Sequence, residues 1–214
     1  MQRDWEGGRD ISRDAKEAGV QKATAKSVGS DNGGFFFLYG YGVTGKTFIW
    51  KTLSTAVRSK GLIVLNAASS GIAALLLPGG RTAHSTLAIP IEIKEASSLT
   101  MEKDSPRADL VRAAKLIICD EAPMMHQWCF EAVDRSMCDI MSKNDPLNEF
   151  IPFRGMTVVL GGDFRQILPV VRKATRHDIF DASINSSKIL AYSNVLRLTV
   201  NMRLSASSVP VEQE

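Results

Sequence analysis

Short runs of apolar residues recur along the chain, and most are followed by a polar stretch and then by a segment with helical spacing. Phe35-Phe36-Phe37-Leu38-Tyr39, Leu62-Ile63-Val64-Leu65, Leu116-Ile117-Ile118-Cys119, Thr157-Val158-Val159-Leu160 and Val195-Leu196-Arg197-Leu198 read as strands. Most of these runs are continuous and do not alternate with polar residues, which suits strands buried on both faces of a parallel sheet. Ile49, Leu53, Ala56 and Val57 share one face of a helix that should stop at Lys60-Gly61. Met125, Cys129, Ala132, Val133, Met137 and Ile140 make a second stripe at helical spacing, most simply read as core packing. Gly71 to Leu77 predicts a short helix capped by Ser69 or Ser70 and ended by Pro78-Gly79-Gly80, and a polar loop covers roughly 92 to 109.

This alternation predicts an α/β fold, a parallel sheet with helices on both faces. Residues 1–32 are rich in charge, Gly, Ser and Ala and are expected to form a flexible leader with transient helix. One domain should fill 33–204, with 205–214 as a tail.

Chemistry enters at Gly40-Tyr41-Gly42-Val43-Thr44-Gly45-Lys46-Thr47, which fits the phosphate-binding pattern G-x-x-x-x-G-K-[ST] between a strand and a helix. A glycine-rich turn there can aim backbone N–H groups at polyphosphate oxygens. Lys46 would neutralise the outer phosphates and Thr47 would offer its hydroxyl to Mg²⁺. Gly40, Gly42 and Gly45 also satisfy the dinucleotide pattern G-x-G-x-x-G. That reading needs an acidic residue at the end of the second strand, where Asn66-Ala67-Ala68-Ser69-Ser70 offers none, and it leaves Lys46-Thr47 unexplained. Asp120 and Glu121 follow the third strand, where ligands sit in open α/β sheets. Asp120 suits a Mg²⁺ ion that keeps most of its waters, and Glu121 suits the orientation or deprotonation of an attacking water.

Composition changes this picture little: 214 residues, 44% hydrophobic and 23% charged, describe a globular chain with room for one sizeable domain. A net charge of +3 places any nucleic-acid contact in a local groove and not on a broadly basic surface. Cys119, Cys129 and Cys138 lack C-x-x-C spacing, and His84, His126 and His177 are scattered, so reduced thiols and no metal cluster are expected. The first ten residues hold no apolar stretch of an export signal, and no run approaches a membrane span, so an intracellular chain without membrane contact is expected. Arg3, Arg9 and Arg13 have the charge of a mitochondrial presequence, but the interleaved Asp4, Glu6, Asp10 and Asp14 argue against one.

Three further segments complete a pattern: Asp120-Glu121-Ala122-Pro123-Met124, Gly161-Gly162-Asp163-Phe164-Arg165-Gln166-Ile167-Leu168-Pro169-Val170, and Leu198-Thr199-Val200-Asn201-Met202-Arg203-Leu204. Together they resemble the PIF-type (petite integration frequency) ATP-dependent DNA helicases of superfamily one, in the branch found in plant genomes and Helitron transposons. The resemblance runs from about Gly33 to Leu204. It implies a RecA-like P-loop NTPase domain that uses ATP and Mg²⁺, with Gly45, Lys46 and Thr47 at the phosphates and metal, Asp120 at the metal and Glu121 activating water. It also implies that Gln166 senses the γ-phosphate and links hydrolysis to DNA, and that Arg203 reaches the γ-phosphate. Ser69, Ser70 and Gly71, with Thr82, His84 and Ser85, resemble the family's contacts to single-stranded DNA. Without the family, Gln166 and Arg203 are ordinary polar residues, the serines a helix cap and His84 a loop histidine. The implied activity is 5′-to-3′ unwinding in replication, repair, recombination or telomere maintenance, in the nucleus.

Departures from the family pattern set further expectations. Val43 replaces a loop glycine and should weaken nucleotide binding if that position needs φ > 0. Arg154 also stands where glycine is usual, and the leader does not match the family's adenine-recognising motif. The usual second RecA-like domain does not follow within the 214 residues, so a partner domain supplied in trans is expected for unwinding. The alternative is a truncated, non-unwinding remnant that binds nucleotide or single-stranded DNA. A P-loop kinase or GTPase is disfavoured, since no N-K-x-D guanine motif follows.

Overall fold

A computed structural model describes residues 12–30, 33–42, 44–141 and 151–199. Six parallel strands form one sheet: β1 (Gly34–Gly40), β2 (Ile63–Ala68), β3 (Arg81–Thr82), β4 (Ala114–Asp120), β5 (Thr157–Gly162) and β6 (Asn194–Leu198), in the spatial order β3-β2-β4-β5-β1-β6. The five expected strands are all present. The sixth, β3, is two residues long and carries no apolar run, so only its pairing to Ala67 and Ala68 of β2 marks it.

The continuous apolar runs feed two cores, one on each face. Helices α4 (Ala83–Leu87), α5 (Pro106–Ala113) and α6 (Gln127–Met141) cover the face carrying Phe35, Phe37, Ile117 and Leu160. Helices α1 (Ser12–Val28), α2 (Lys46–Arg58) and α3 (Gly71–Leu75) cover the face carrying Phe36, Leu38, Ile118 and Val159. A seventh helix, α7, spans Arg176–Ala182.

Several local expectations change. Most of the leader's described part is α1, which packs on α2, β1 and β5 with Val20, Thr24 and Val28 buried. Those residues are spaced i, i+4, i+8, a stripe one residue wide with a threonine at its centre, which gives little apolar signal. On α2 the buried face is Ile49, Trp50, Leu53, Ser54 and Val57, while Ala56 is exposed. Ser70 is the cap of α3, accepting from the Ala73 amide at 3.2 Å. The polar loop expected over 92 to 109 gives way to α5 at Pro106. Its signature was local: Ser105 caps the helix and Pro106 occupies the first turn. Asn66, in the strand that lacks a ribose-binding carboxylate, is buried. It accepts from Ser54 Oγ and donates to the Pro78 carbonyl, fastening the turn ahead of β3. Arg154 lies at φ 51, next to Phe153 at φ 55, and this left-handed backbone gives the physical reason a glycine suits the position.

Candidate nucleotide and nucleic-acid site

The strand order places β5 between β4 and β1, so Gly40, Asp120 and Asp163 emerge side by side at the C-terminal edge of the sheet. Gly45 adopts φ 86 at the N-cap of α2, and its carbonyl accepts the amides of Phe48 and Ile49, so the helix starts directly from the glycine loop. Thr44 Oγ1 donates to the Tyr41 carbonyl at 2.8 Å and closes the turn. Thr44 also leaves no room for a side chain at Gly40, where a Cβ would lie 2.5 Å from Thr44 Oγ1. With no acidic residue in the first turn of α2, nothing there competes with an anion for the helix N-terminus. Thr47 is half-buried in that turn. Val43 lies outside the described residues.

Lys46 is buried, donates from Nζ to the Gly40 carbonyl at 2.7 Å, and stands 4.0 Å from Glu121 Oε1. Asp120 is buried at the end of β4, where its Oδ1 accepts the Glu121 amide at 3.0 Å. Glu121 itself takes φ 53, an uncommon conformation for a residue with a side chain, and its Oε2 is buried with no hydrogen-bond partner. Burial pushes both carboxyls above their ordinary range. For Asp120 the Glu121 amide, Lys46 and Trp50 pull the other way; for Glu121 the neighbouring Asp120 and Asp163 add to the rise and Lys46 opposes it. A carboxylate with a raised pKa is better matched to proton abstraction near neutrality than an ordinary glutamate.

Asp163, buried after β5, holds the next turn: its Oδ1 accepts the Arg165 amide at 3.0 Å and its carbonyl accepts the Gln166 amide at 3.1 Å. The turn leaves Gln166 half-buried and lays the Arg165 guanidinium over the Tyr41 ring, 4.8 Å from its centroid. Phe164 stacks on Phe37 and Tyr39, so the strand that feeds the glycine loop and the Gly161 to Val170 segment share an aromatic contact. Both glycines of that segment are explained by close approach. A Cβ at Gly161 would lie 2.3 Å from Trp50 Cζ2, and one at Gly162 would lie 2.2 Å from Pro123 Cδ.

The donor set fits a magnesium–polyphosphate complex. Buried Lys46 faces the Asp120 and Glu121 carboxylates, Asp163 lies close enough to Glu121 to act on it, and Glu121 Oε2 still needs a partner. Among the described residues no group of three or more His, Cys, Asp or Glu could hold a metal by itself. The three cysteines are free, Cys119 and Cys129 buried and Cys138 half-buried. Arg203 lies outside the described residues.

The DNA candidates gather at the same edge of the sheet. Ser69, Ser70 and Gly71 follow β2, and Thr82, His84 and Ser85 lie at the end of neighbouring β3. The Ser69 amide donates to the Asp120 carbonyl at 3.1 Å and ties the first group to the nucleotide site. Ser70 and Thr82 are the N-caps of α3 and α4, so their oxygens already accept backbone amides while their own O–H groups remain available as donors. His84 is half-buried, and burial lowers its pKa from the ordinary imidazole value. Sequence reasoning assigned no role to Trp50, Asp163 or the Arg165–Tyr41 pair. Asp163 carried the same signal as Asp120, a carboxylate directly after a buried strand; the other contacts depend on packing between distant segments.

A parallel sheet with a lysine-bearing glycine loop at the head of α2, and an Asp-Glu pair at the end of a buried strand two strands away, defines a RecA-like P-loop NTPase. The chain belongs to the PIF1-like helicase family, whose family model matches residues 12–214 and so takes in α1. It is 31% identical over 165 residues to ATP-dependent DNA helicase PIF4 of Trypanosoma brucei brucei, a match covering 74% of this chain and 19% of that protein. Bacteroides Pif1 bound to single-stranded DNA superposes with a TM-score of 0.70 at 24% identity, over 91% of this chain and 43% of that one. The Bacteroides Pif1 complex with ADP-AlF3 and single-stranded DNA gives a TM-score of 0.67 at 25% identity, over 86% and 42%. The chain thus spans about a fifth of the length of curated relatives such as the first.

Proposed function

We propose that this chain is the nucleotide-hydrolysing, DNA-contacting RecA-like domain of an ATP-dependent 5′-to-3′ DNA helicase. The supporting observation is the convergence of Lys46, Asp120 and Glu121 at the N-terminus of α2, with Lys46 Nζ 4.0 Å from Glu121 Oε1. In this reading the loop Gly40, Tyr41, Gly42, Val43, Thr44 and Gly45 wraps the phosphates, Lys46 neutralises the outer ones, and Thr47 and Asp120 hold Mg²⁺. Bound Mg²⁺ supplies charge neutralisation for phosphoryl transfer. Glu121 accepts a proton from the attacking water, a task its raised pKa favours. Gln166 and Arg203 act at the γ-phosphate, and Ser69, Ser70, Gly71, Thr82, His84 and Ser85 hold single-stranded DNA without reading sequence. Unwinding also draws on a second RecA-like domain. Gly161 to Val170 supports placing the chain in the plant and Helitron-like branch, with roles in repair, recombination, replication or telomere maintenance in the nucleus.

The test is ATP hydrolysis by the purified chain with Mg²⁺, with and without single-stranded DNA, beside Lys46→Ala and Glu121→Gln. DNA-stimulated turnover that both substitutions remove supports the proposal. Lys46-dependent nucleotide binding without turnover supports the non-unwinding remnant instead. Turnover indifferent to both substitutions overturns the site assignment.

A further inference from the structure

Trp50 lies one turn beyond Lys46 on α2 and is completely buried, yet its Nε1–H has no hydrogen-bond partner of good geometry. Burying an indole donor unbonded is unfavourable, and an apolar residue would fill the same space without that cost. The position of the ring supplies a reason for the donor. A Cβ built on Gly161 would lie 2.3 Å from Trp50 Cζ2 and 3.3 Å from Asp120 Oδ1, so indole and carboxylate converge over the same backbone atom. Cζ2 is next to the ring carbon that carries Nε1. Asp120 Oδ1 already accepts the Glu121 amide, and lone pairs on the carboxylate remain open. The absence of a side chain at Gly161 is what lets the indole reach this position.

We propose that Trp50 is a positioning residue for Asp120: its Nε1–H closes onto the carboxylate and fixes the direction of the oxygen left to face the metal. The proposal rests on the reading of Asp120 as a Mg²⁺ ligand given above. It gives the α2 helix a second contribution to the site besides Lys46, linking the phosphate loop to the metal carboxylate through one rigid side chain. Groups that orient a metal ligand typically change metal affinity tenfold or more when removed.

The test is binding of a non-hydrolysable ATP analogue by calorimetry, in EDTA and across a Mg²⁺ titration. Three proteins are compared: wild type, Trp50→Phe, and the protein carrying 3-benzothienylalanine at position 50, which keeps the indole shape and replaces N–H by sulfur. The isostere guards against loss of folding in the phenylalanine variant. The expected result is unchanged metal-free affinity in both variants, with about tenfold more Mg²⁺ needed for half of the metal-induced tightening. An isostere with wild-type Mg²⁺ dependence overturns the proposal, and so does an equal loss of metal-free affinity, which marks plain packing. Analogue binding by wild type that ignores Mg²⁺ also overturns it. Undiminished binding by Lys46→Ala overturns the underlying nucleotide site instead.

Discussion

Gly161→Ala is expected to destabilise this domain by about 2 kcal/mol, although alanine is ordinarily the better residue in a strand. The added Cβ would sit 2.3 Å from Trp50 Cζ2 and 3.0 Å from Cη2, well inside ordinary carbon contact, so the indole must shift by about an ångström. Trp50 is completely buried, between β5 and the rest of α2, and has no solvent-facing space to move into. Overpacking costs about 1–3 kcal/mol, a 2.3 Å approach with no free space puts this site at the upper end of that range, and the lower backbone entropy of alanine returns roughly 0.5–1 kcal/mol. For a domain of this size the balance corresponds to a fall in Tm of roughly 4–8 °C. Urea and thermal unfolding would measure it, with Gly42→Ala as control, because a Cβ there meets nothing within 4 Å. The clash is with the six-membered ring of one side chain, so Trp50→Phe should remove at least half of the cost in a double-mutant cycle. A Gly161→Ala protein as stable as wild type, or one whose loss is the same with Phe at 50, would refute the reasoning.

Other substitutions probe separate parts of the structure. Gly19→Ala places a methyl on an exposed face of α1 with nothing within 4 Å, so helix propensity should raise stability by up to about 1 kcal/mol; no change in Tm would mean that α1 does not unfold with the domain. Arg154→Gly relieves a side chain held at φ 51 and should stabilise by about 1 kcal/mol in urea unfolding. Glu121 has a raised native pKa, so the native state binds more protons than the unfolded one above the ordinary value of 4.5, and wild type loses stability as pH rises through that window. Glu121→Gln escapes this loss, and its stability relative to wild type should grow from about pH 4 upward and level off above the native pKa, as unfolding at several pH values would show. Val43→Gly should tighten nucleotide binding in a calorimetric titration, and an unchanged Kd would remove strain in the loop as an explanation.

Much of the candidate site was legible because its signals are local. The glycine loop that ends in Lys46 and the Asp120-Glu121 pair each announce themselves within a few residues, and each follows an apolar run. Less legible were contacts between segments far apart in the chain. Nothing near Trp50 indicates that it packs over Gly161, and nothing near Arg165 indicates that it covers the Tyr41 ring. The exchange of Ala56 for Trp50 on the buried face of α2 has the same origin. Helical spacing defines a stripe, but the neighbouring strands decide how wide that stripe is and where it is centred.

The sequence by itself determined the α/β class, the five principal strands, the phosphate loop and its lysine, because buried parallel strands and a glycine-rich anion nest leave patterns within a handful of neighbouring residues. Only the tertiary structure decided the strand order that sets Asp163 between Gly40 and Asp120, the docking of α1 through Val20, Thr24 and Val28, and the two-residue strand β3. It also set the direction in which Asp120 and Glu121 shift their pKa values. Each of these depends on which distant groups share a low-dielectric space, and proximity of that kind arises from packing, not from the order of residues along the chain.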